Sequence, residues 1–543
     1  MKRYDAIIIG FGKGGKLLAA ELANRNWKVA VIERSPEMYG GTCINVGCIP
    51  TKTMIHEAEF AERIYQNDYE KQSKLYSLAL KRKDKLVMYL REKNVESLTG
   101  NPNITLYDGT ASFVCEDTVK VTLASGKDEK SFELEGKEIF INTGSTPILP
   151  DIDGLRDSKY VYTSETLLHA DVLPQHLLII GSGAIGLEFA TMYAGFGSKV
   201  TILEAGKRFL PKADREIAEY MQESLKRKNI EIRLNARVQS LHDTADGITA
   251  AYTDASDGTP YFLEGDALLI ATGRKPMIDD LHLEKARVQV NAQGAIIVNE
   301  QLRTTVPHIW ALGDVRGGEM YDYLSIDDSR IILNHLFGNK ERSINDRNPV
   351  PYAIFTDPPM AHIGLTEEDA VKRGYPIKIS RLPASAIPRA RTLQNMDGML
   401  KAIVNTDTEK ILGCSLFCVN APELINLVAF AIKTGQKSSA LRSFIFTHPS
   451  MSEGLNGLFN RRSPRTKLVC RSSSVSSLTR AAFRPTSLRR PRAPSTRVVS
   501  WVTLCPTLTA PSWTTRACLS RPSSATARPR PARWLPAGSP TSS

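Results

Sequence analysis

Two cysteines near the start of the chain have the spacing of a redox-active pair. Cys43 and Cys48 lie in the segment GGTCINVGCIPTK, residues 40–52, and a pair with only four residues between its members can close a small disulfide ring. Pro50 and Lys52 indicate that a helix begins near Cys48. The free N–H groups and the dipole of a helix N-terminus favour negative charge, so they stabilise a thiolate there. The segment predicts a protein that accepts electrons and passes them on.

A glycine-rich loop upstream of the cysteines predicts a dinucleotide site. An apolar strand over residues 4–9 leads into Gly10, Gly12 and Gly15, and the strand after the next helix ends in Glu33. In such a strand–helix–strand unit the first glycine allows a tight turn, the second lets the backbone approach a pyrophosphate, and the third lets helix pack on strand.

The same pattern recurs later in the chain. An apolar strand over residues 176–180 leads into Gly181, Gly183 and Gly186, and the following strand ends in Glu204. The first glycine and the acid are 23 residues apart in both copies (33 − 10 and 204 − 181). One such loop is weak evidence, but two copies in matched register predict two dinucleotide-binding domains.

The net charge of +12 is unevenly distributed over the 543 residues. Residues 460–543 contain 15 Arg, one Lys and no Asp or Glu, a charge of +16, whereas the rest has 70 − 16 = 54 basic and 58 acidic residues, a charge of −4. The body of the protein therefore has no overall nucleic-acid-binding signature.

The tail, rich in Ser, Arg and Pro, cannot bury enough apolar surface to offset its chain entropy, and we expect it to be disordered. Its excess of Arg over Lys favours an out-of-frame translation product over a natural basic tail.

The sequence contains no basic-then-apolar leader and no apolar run of about 18 residues, so we expect a soluble, cytoplasmic protein without a membrane partner. Structural disulfides are rare in that compartment, which favours a catalytic role for Cys43 and Cys48.

The motifs and their order resemble the flavoprotein disulfide reductases, which include lipoamide dehydrogenase, glutathione reductase and mercuric reductase. The resemblance covers residues 1–459. Segments 40–43, 325–329, 386–391 and 448–453 are most similar to a mercuric-reductase-like branch associated with hypochlorous-acid stress and copper(II) reduction.

The resemblance implies an α/β fold with two Rossmann-like domains, for FAD and NAD(P), and a C-terminal α+β dimerisation domain. The domains it implies are FAD-binding over 1–150, with a helical excursion at 54–98, NAD(P)-binding over 151–277, the second part of the FAD domain over 278–350, dimerisation over 351–459, and the tail over 460–543.

The resemblance also implies the cofactor contacts. Glu33 is expected to bind the adenosine ribose of FAD, and Asp314 its ribityl end. The residues assigned to FAD are Gly10, Gly12, Gly15, Glu33, Thr42, Lys52, Gly144 and Asp314; those assigned to NAD(P) are Gly181, Gly183, Gly186, Glu188, Glu204 and Gly273. We expect Lys52 to approach the flavin and to pair with Glu188.

The choice of nicotinamide cofactor depends on the acid after the second loop. The Glu204 carboxylate accepts hydrogen bonds from a ribose 2′-hydroxyl and repels a 2′-phosphate, which favours NADH. Lys207 and Arg208 follow closely and could accommodate a phosphate, so NADPH stays open.

Four residues are expected to carry the chemistry. By resemblance, Cys48 is the thiol against the flavin, and Cys43 is the outer thiol that meets the substrate. His448 and Glu453 form a couple in which the acid orients the imidazole and raises its basicity. In this family the couple comes from the partner subunit, which implies a homodimer with a shared active site.

The electron acceptor is predicted to be Cu(II) or a similar metal ion, in oxidative or hypochlorous-acid defence. One alternative is a dithiol enzyme of the lipoamide dehydrogenase kind, but Phe446 stands where those enzymes usually carry a second histidine. Another is a redox-sensing protein that binds nucleic acid through its tail.

No structural metal site is predicted: Cys414 and Cys418 share one face of an apolar strand and are expected to be small buried hydrophobes, as is Cys115.

Overall fold

The computed structural model describes residues 1–65, 68–123 and 130–460, and the predicted basic tail lies outside them from residue 461 onward. The strands of the described residues, in chain order, are β1 (Lys2–Ile9), β2 (Val29–Glu33), β3 (Ile104–Phe113), β4 (Thr118–Leu123), β5 (Ser131–Ile141), β6 (Ser145–Pro147), β7 (Val161–Thr163), β8 (His176–Ile180), β9 (Lys199–Leu203), β10 (Ile230–Arg233), β11 (Ala236–Asp243), β12 (Ile248–Asp254), β13 (Pro260–Gly265), β14 (Ala267–Ile270), β15 (Arg274–Pro276), β16 (Ile309–Ala311), β17 (Tyr352–Ile354), β18 (Met360–Gly364), β19 (Ile377–Pro383), β20 (Met399–Asn405) and β21 (Ile411–Phe417). The α-helices are α1 (Lys13–Ala23), α2 (Thr42–Asn45), α3 (Cys48–Ile64), α4 (Tyr69–Thr99), α5 (Ala184–Gly195), α6 (Arg215–Arg227), α7 (Asp322–Phe337), α8 (Glu367–Lys372), α9 (Pro388–Thr392), α10 (Ala421–Lys433), α11 (Ser438–Ser443) and α12 (Gly454–Asn460).

The first glycine-rich loop follows β1, a strand of a mainly parallel sheet. Strands β3, β2, β1, β5 and β16 lie side by side in parallel, and β4 pairs antiparallel with β3 and β5. The end of β1 is wholly apolar because it is covered on both faces, and Ala6, Ile7 and Ile8 have no exposed surface. This core fixes the point at which the chain turns from β1 into α1.

The second glycine-rich loop leaves another parallel sheet. Its strands lie in the order β10, β9, β8, β14 and β7. A separate antiparallel sheet of β11, β12 and β13 belongs to the same region. The fold therefore contains the two dinucleotide-binding domains that the repeated motif predicts.

The two nucleotide domains are joined by a short antiparallel pair, β6 and β15. The preceding loops contain Gly144 and Gly273, which both have positive φ angles. Arg274 donates to Ser145 Oγ over 2.8 Å, which ties the two loop exits together.

The helical excursion positions the redox segment. Helix α3 begins at Cys48, as predicted, and packs on α5 so closely that a Cβ at Gly195 would lie 3.1 Å from Ala58 Cβ. Helix α4 covers α3, and the Tyr76 hydroxyl donates to the carbonyl of Ala170 in the second nucleotide domain over 2.7 Å. These contacts hold the cysteine-bearing helix against the second nucleotide domain.

The C-terminal region is an antiparallel sheet in the order β17, β18, β21, β20 and β19, packed against α10 and α12. Cys414 and Cys418 are buried there with other small apolar side chains, as predicted. The expectation for Cys115 was wrong: the residue lies in the turn between β3 and β4, where its thiol is exposed and donates to Asp117 Oδ1 over 3.0 Å.

Among the described residues, none of the helices has the length and apolar character needed to cross a bilayer. Within the same residues, no group of three or more His, Cys, Asp or Glu side chains is arranged to hold a metal ion.

Candidate active site

The first glycine-rich loop forms a close-packed cradle. Gly10 has a φ of +103°, which favours glycine, and a Cβ at Gly12 would lie 2.6 Å from Asn142 Nδ2. Helix α1 starts without a side-chain cap at Gly12, so its first N–H groups are available to an anion. Glu33 Oε2 accepts the Phe11 N–H over 2.9 Å, which places the carboxylate beside the loop. Burial raises the pKa of Glu33.

The second loop repeats this arrangement. Gly181 has a φ of +105°, and α5 begins after Gly183 without a side-chain cap. A Cβ at Gly186 would overlap the Gly181 carbonyl oxygen, so helix and strand pack closely. Glu204 Oε2 accepts the Ser182 N–H over 2.9 Å, matching the first loop.

The Glu204 carboxylate is held in its ionised form. Glu204 Oε1 accepts the Gly206 N–H over 2.7 Å, and Ser182 Oγ donates to Glu204 Oε2 over 2.7 Å. Burial opposes the charge, but hydrogen bonds from Ser182 and Gly206 prevail and lower the pKa of Glu204. An ionised acceptor suits ribose hydroxyl groups.

Both loops fit a dinucleotide pyrophosphate, because each combines bare glycine backbone, uncapped helix N–H groups and a carboxylate at the next strand end. At the second site no atom lies within 4 Å of a Cβ built on Gly183, so the backbone faces open space. At the first, Thr42 begins α2, and a Cβ on the preceding Gly41 would lie 2.7 Å from Gly12 Cα. The redox segment therefore packs directly on the first loop.

Asp314 lies in the turn after β16. Ser145 Oγ donates to Asp314 Oδ2 over 2.7 Å, and burial raises the pKa of the carboxyl group. The turn is held by Asp328, which is fully buried and accepts the Gly313 N–H over 2.6 Å and Arg316 Nε over 3.0 Å. Asp328 belongs to segment 325–329, one of the segments that resemble the mercuric-reductase-like branch. That it holds the turn around Asp314 could not be predicted from the sequence.

The two redox cysteines are free thiols and interact with each other through a hydrogen bond. The hydrogen bond from Cys43 lowers the pKa of Cys48, burial opposes this, and the nearby Lys52 ammonium lowers it further. The hydrogen bond with Cys48, burial and the Asp322 carboxylate all raise the pKa of Cys43. The environment of the pair therefore favours the thiolate at Cys48 and the protonated thiol at Cys43.

Lys52 stands one helical turn after Cys48 on the same face of α3. Its Nζ lies 2.6 Å from Glu188 Oε2 on α5 and 4.8 Å from the centre of the Phe355 ring. Glu188 Oε1 accepts the Phe355 N–H over 3.0 Å. One lysine therefore links the redox helix, the second nucleotide domain and the C-terminal domain.

His448 and Glu453 are together but apart from the cysteines. His448 Nδ1 lies 2.8 Å from Glu453 Oε2, and Glu453 Oε1 accepts the Ser450 N–H over 3.2 Å. The hydrogen bond with His448 lowers the pKa of Glu453. His448 is 68 % exposed, and within the part of the chain that the structure describes no hydrogen bond joins it to Cys43 or Cys48.

Asp322 is the residue near the thiols that sequence reasoning missed. It begins α7, is half-buried, and interacts with Cys43. A Cβ at Gly14 of α1 would lie 2.5 Å from Ser325 Oγ of α7, so the start of α7 is held against the first loop. No motif marks this acid, because its closeness to the cysteines depends on the packing of two helices distant in sequence.

Comparison with known proteins defines the class. The family model of the pyridine nucleotide-disulphide oxidoreductases matches residues 4–331, and the model of their dimerisation domain matches residues 350–458. The chain therefore belongs to this family, and it is an NAD(P)H-dependent flavoprotein disulfide oxidoreductase. Members of the family depend on FAD and a pyridine nucleotide, and the dimerisation domain indicates a homodimer.

Among its relatives is the probable pyridine nucleotide-disulfide oxidoreductase RclA of Escherichia coli, which is 45 % identical over 460 residues, 85 % of this chain and 99 % of RclA. The structure of the HOCl-induced flavoprotein disulfide reductase RclA in complex with Cu(II) matches with a TM-score of 0.79, covering 84 % of this chain and 99 % of that one. A mercuric reductase of Lysinibacillus sphaericus is 34 % identical, with 83 % of this chain and 81 % of the relative covered. The mitochondrial dihydrolipoyl dehydrogenase of Pisum sativum is 31 % identical, with 83 % and 90 % covered.

Proposed function

We propose that the protein uses NADH and FAD to reduce the Cys43–Cys48 disulfide, and that the resulting dithiol reduces Cu(II) or a similar oxidised metal ion during oxidative or hypochlorous-acid stress. The observation that carries this proposal is the unequal pair of thiols: Cys48 starts α3 one turn before Lys52 and has a lowered pKa, whereas the pKa of Cys43 is raised. A thiolate is a soft ligand that suits copper and other soft metals. The similarity to RclA, which is described as HOCl-induced and has been solved as a Cu(II) complex, supports a copper ion as the ligand of this site.

Bound FAD would supply the chemistry that accepts a hydride from NADH and returns two electrons to the disulfide. The chain's own task is to hold the product of that reduction in a defined charge state. Lys52 faces Cys48, and its charge favours the thiolate there. Glu188 fixes the lysine in place over 2.6 Å.

The reaction balances as one dithiol against two metal ions. The Cys48 thiolate and the Cys43 thiol give up two electrons and one proton as the sulfur–sulfur bond forms, and two Cu(II) ions become two Cu(I) ions. We assign the proton to His448 of the partner subunit, which the ionised Glu453 holds ready to accept it.

NADH is the proposed hydride donor because the residue that follows the second loop, Glu204, is an ionised hydrogen-bond acceptor. Glu204 presents negative charge where an NADPH molecule would carry its 2′-phosphate, and like charges repel. Ribose hydroxyl groups can instead donate to it.

The acceptor is tested by measuring anaerobic NADH oxidation with Cu(II), Hg(II), lipoamide and glutathione disulfide, and aerobic oxidation with oxygen alone. We expect a metal ion to give the highest kcat/KM, with two Cu(I) ions, captured by a Cu(I)-specific chelator, formed for each NADH. The Cys43→Ser variant is the matched control and should lose the metal-dependent rate. A higher kcat/KM with lipoamide would instead make the protein a dithiol dehydrogenase.

One observation disfavours that second outcome. The position two residues before His448 is Phe446, whose ring packs on the Phe444 ring with 4.9 Å between centroids. Phe446 also packs against the core of the C-terminal domain. A second proton carrier is therefore missing from this position, where the lipoamide dehydrogenases usually have a histidine.

A further inference from the structure

The exposed loop after Glu204 contains an arginine that is already paired. Arg208 Nη2 lies 2.8 Å from Glu368 Oε1. Glu368 is in α8 of the C-terminal domain, 160 residues further along the chain. The arginine next to the second nucleotide loop is therefore paired with an acid from a different domain.

Glu368 belongs to a helix whose start is held by a buried ion pair. Lys401 and Asp214 are 2 % and 1 % exposed, and their charged atoms are 2.8 Å apart. Lys401 Nζ also lies 2.7 Å from Glu367 Oε2, and the Glu367 N–H donates to Asp214 Oδ2 over 3.3 Å. This buried network clamps the first turn of α8 to the start of α6, so Glu368, the next residue, is held facing the second nucleotide domain.

The arginine is also fixed with respect to the cofactor acid. The Gly206 N–H donates to Glu204 Oε1 over 2.7 Å, which folds the chain back towards that carboxylate two residues before Arg208. Phe209, the residue after it, is buried, and its carbonyl accepts Arg215 Nη1 over 3.1 Å. The backbone on both sides of Arg208 is thus held, and its side chain extends from a fixed point to Glu368.

We propose that Glu368 is a specificity-determining residue for the nicotinamide cofactor, because it neutralises and anchors Arg208, the side chain best suited to bind a 2′-phosphate. An arginine can bind a phosphate through two parallel hydrogen bonds, which a lysine cannot do. Lys207 makes no ion pair among the described residues, but it offers only a point charge. The inference rests on the proposed assignment of the second loop to NADH, and it adds that the C-terminal domain takes part in the choice.

The test is a double-mutant cycle of Glu368→Gln and Arg208→Gln in the FAD-loaded enzyme. Binding of adenosine 2′,5′-bisphosphate and of 5′-AMP is measured by calorimetry, with KM for NADPH and NADH alongside. We expect Glu368→Gln to tighten binding of the bisphosphate and to lower KM for NADPH by about two- to fivefold, the range for an exposed ion pair. Binding of 5′-AMP and KM for NADH should not change.

Repeating the Glu368→Gln substitution in the Arg208→Gln variant shows whether its effect depends on the arginine. With Arg208→Gln present, Glu368→Gln should have no effect, and Arg208→Gln alone should barely change bisphosphate binding because the arginine is already neutralised. Glu409→Gln removes an exposed charge from the same domain, which is paired with Lys437 over 3.9 Å, and serves as the control for net charge.

Three outcomes would overturn the inference: no effect of Glu368→Gln, an equal effect with and without Arg208, or strong loss of bisphosphate binding in the Arg208→Gln single variant. A wild-type enzyme that prefers NADPH would overturn the NADH proposal instead. The coupling between the two residues is read from the cycle in either case.

Discussion

Lys52 and Glu188 join the helix that carries Cys48 to the helix that begins at the second glycine-rich loop, with 2.6 Å between Lys52 Nζ and Glu188 Oε2. The pair is only partly exposed, at 32 % for the lysine and 9 % for the glutamate. Because the lysine also lowers the pKa of Cys48, the ion pair connects the packing of two domains to the charge of a thiol.

Replacing Lys52 with Gln should raise the pKa of Cys48, since it removes a neighbouring opposite charge. A pKa below the usual 9.0 keeps the thiolate as the pH falls, so the wild-type dithiol should retain its thiolate-to-flavin charge-transfer absorbance at lower pH than the variant. The measurement is a pH titration of this absorbance in the NADH-reduced holoenzyme.

Lys93→Gln provides the control for the lost charge, because Lys93 is an exposed lysine paired with Glu96 on a different helix. It should titrate like the wild type. Coincident titrations of Lys52→Gln and the wild type would mean that Lys52 does not act on Cys48. Survival of the band in Cys48→Ser would show that another group produces it.

Asp322→Asn should make Cys43 more reactive. Hydrogen bonding with Cys48, burial and the Asp322 carboxylate hold the pKa of Cys43 high, so removing the carboxylate lowers it and increases the thiolate fraction at neutral pH. We expect alkylation of Cys43 by iodoacetamide, followed by mass spectrometry, to be about threefold to tenfold faster, because a lower pKa exposes more thiolate. Glu319→Gln removes an exposed carboxylate three residues earlier and should leave the rate unchanged. Equal rates in all three proteins would exclude a role for Asp322.

Cys43→Ser should abolish reduction of the acceptor while leaving FAD bound. None of the residues assigned to FAD is altered, and the only change is one sulfur to oxygen in α2. The measurement compares flavin content and metal-dependent NADH oxidation with the wild type. A full metal-dependent rate would mean that electrons reach the metal without passing through the outer thiol.

The sequence was sufficient for features with a local pattern. The two glycine-rich loops, their acids and the helix start at Cys48 could be predicted because strand, turn and helix signals are close together in the chain. The Arg208–Glu368 pair, the approach of Asp322 to Cys43 and the Lys401–Asp214 ion pair could not, since each joins residues that are distant in sequence and meet only through tertiary packing. Cys115 was misplaced because it was treated like Cys414 and Cys418, whereas it lies in the exposed turn between two strands and not within one.

Lys401→Met should destabilise the fold. Lys401 is 2 % exposed and lies 2.8 Å from Asp214, which is 1 % exposed, so its loss leaves this buried carboxylate without its lysine, whereas Glu216 and Glu367 keep Arg381. Removing one partner of a buried ion pair costs about 3–5 kcal/mol of the free energy of unfolding. Urea unfolding followed by circular dichroism should therefore show a lower midpoint, whereas Lys437→Met, at an exposed pair, should stay near the wild type. Equal midpoints would mean that water reaches the Asp214 carboxylate.

The last prediction concerns the shared active site. If His448 serves Cys43 of the other subunit, the His448→Ala and Cys43→Ser homodimers should each be nearly inactive, because a general acid–base contributes about 10²–10⁴-fold. In a mixed dimer, one of the two sites combines an intact Cys43 from one chain with an intact His448 from the other. Random mixing makes half of the dimers mixed, each with one intact site, so about a quarter of the wild-type activity should return, far above the residual rate set by the lost acid–base group.

The result is decisive because the two variants fail for different reasons. Subunit exchange is confirmed first, by mass spectrometry of differently tagged chains. Recovery then requires that the histidine and the cysteine of one site come from different chains, which agrees with the exposure of His448 and its partnership with Glu453 rather than with a cysteine of its own chain. If exchange occurs without recovery, His448 acts within its own chain or outside the chemistry, and the Cys43 proton must leave by another route, for which the Asp322 carboxylate beside it is the nearest candidate.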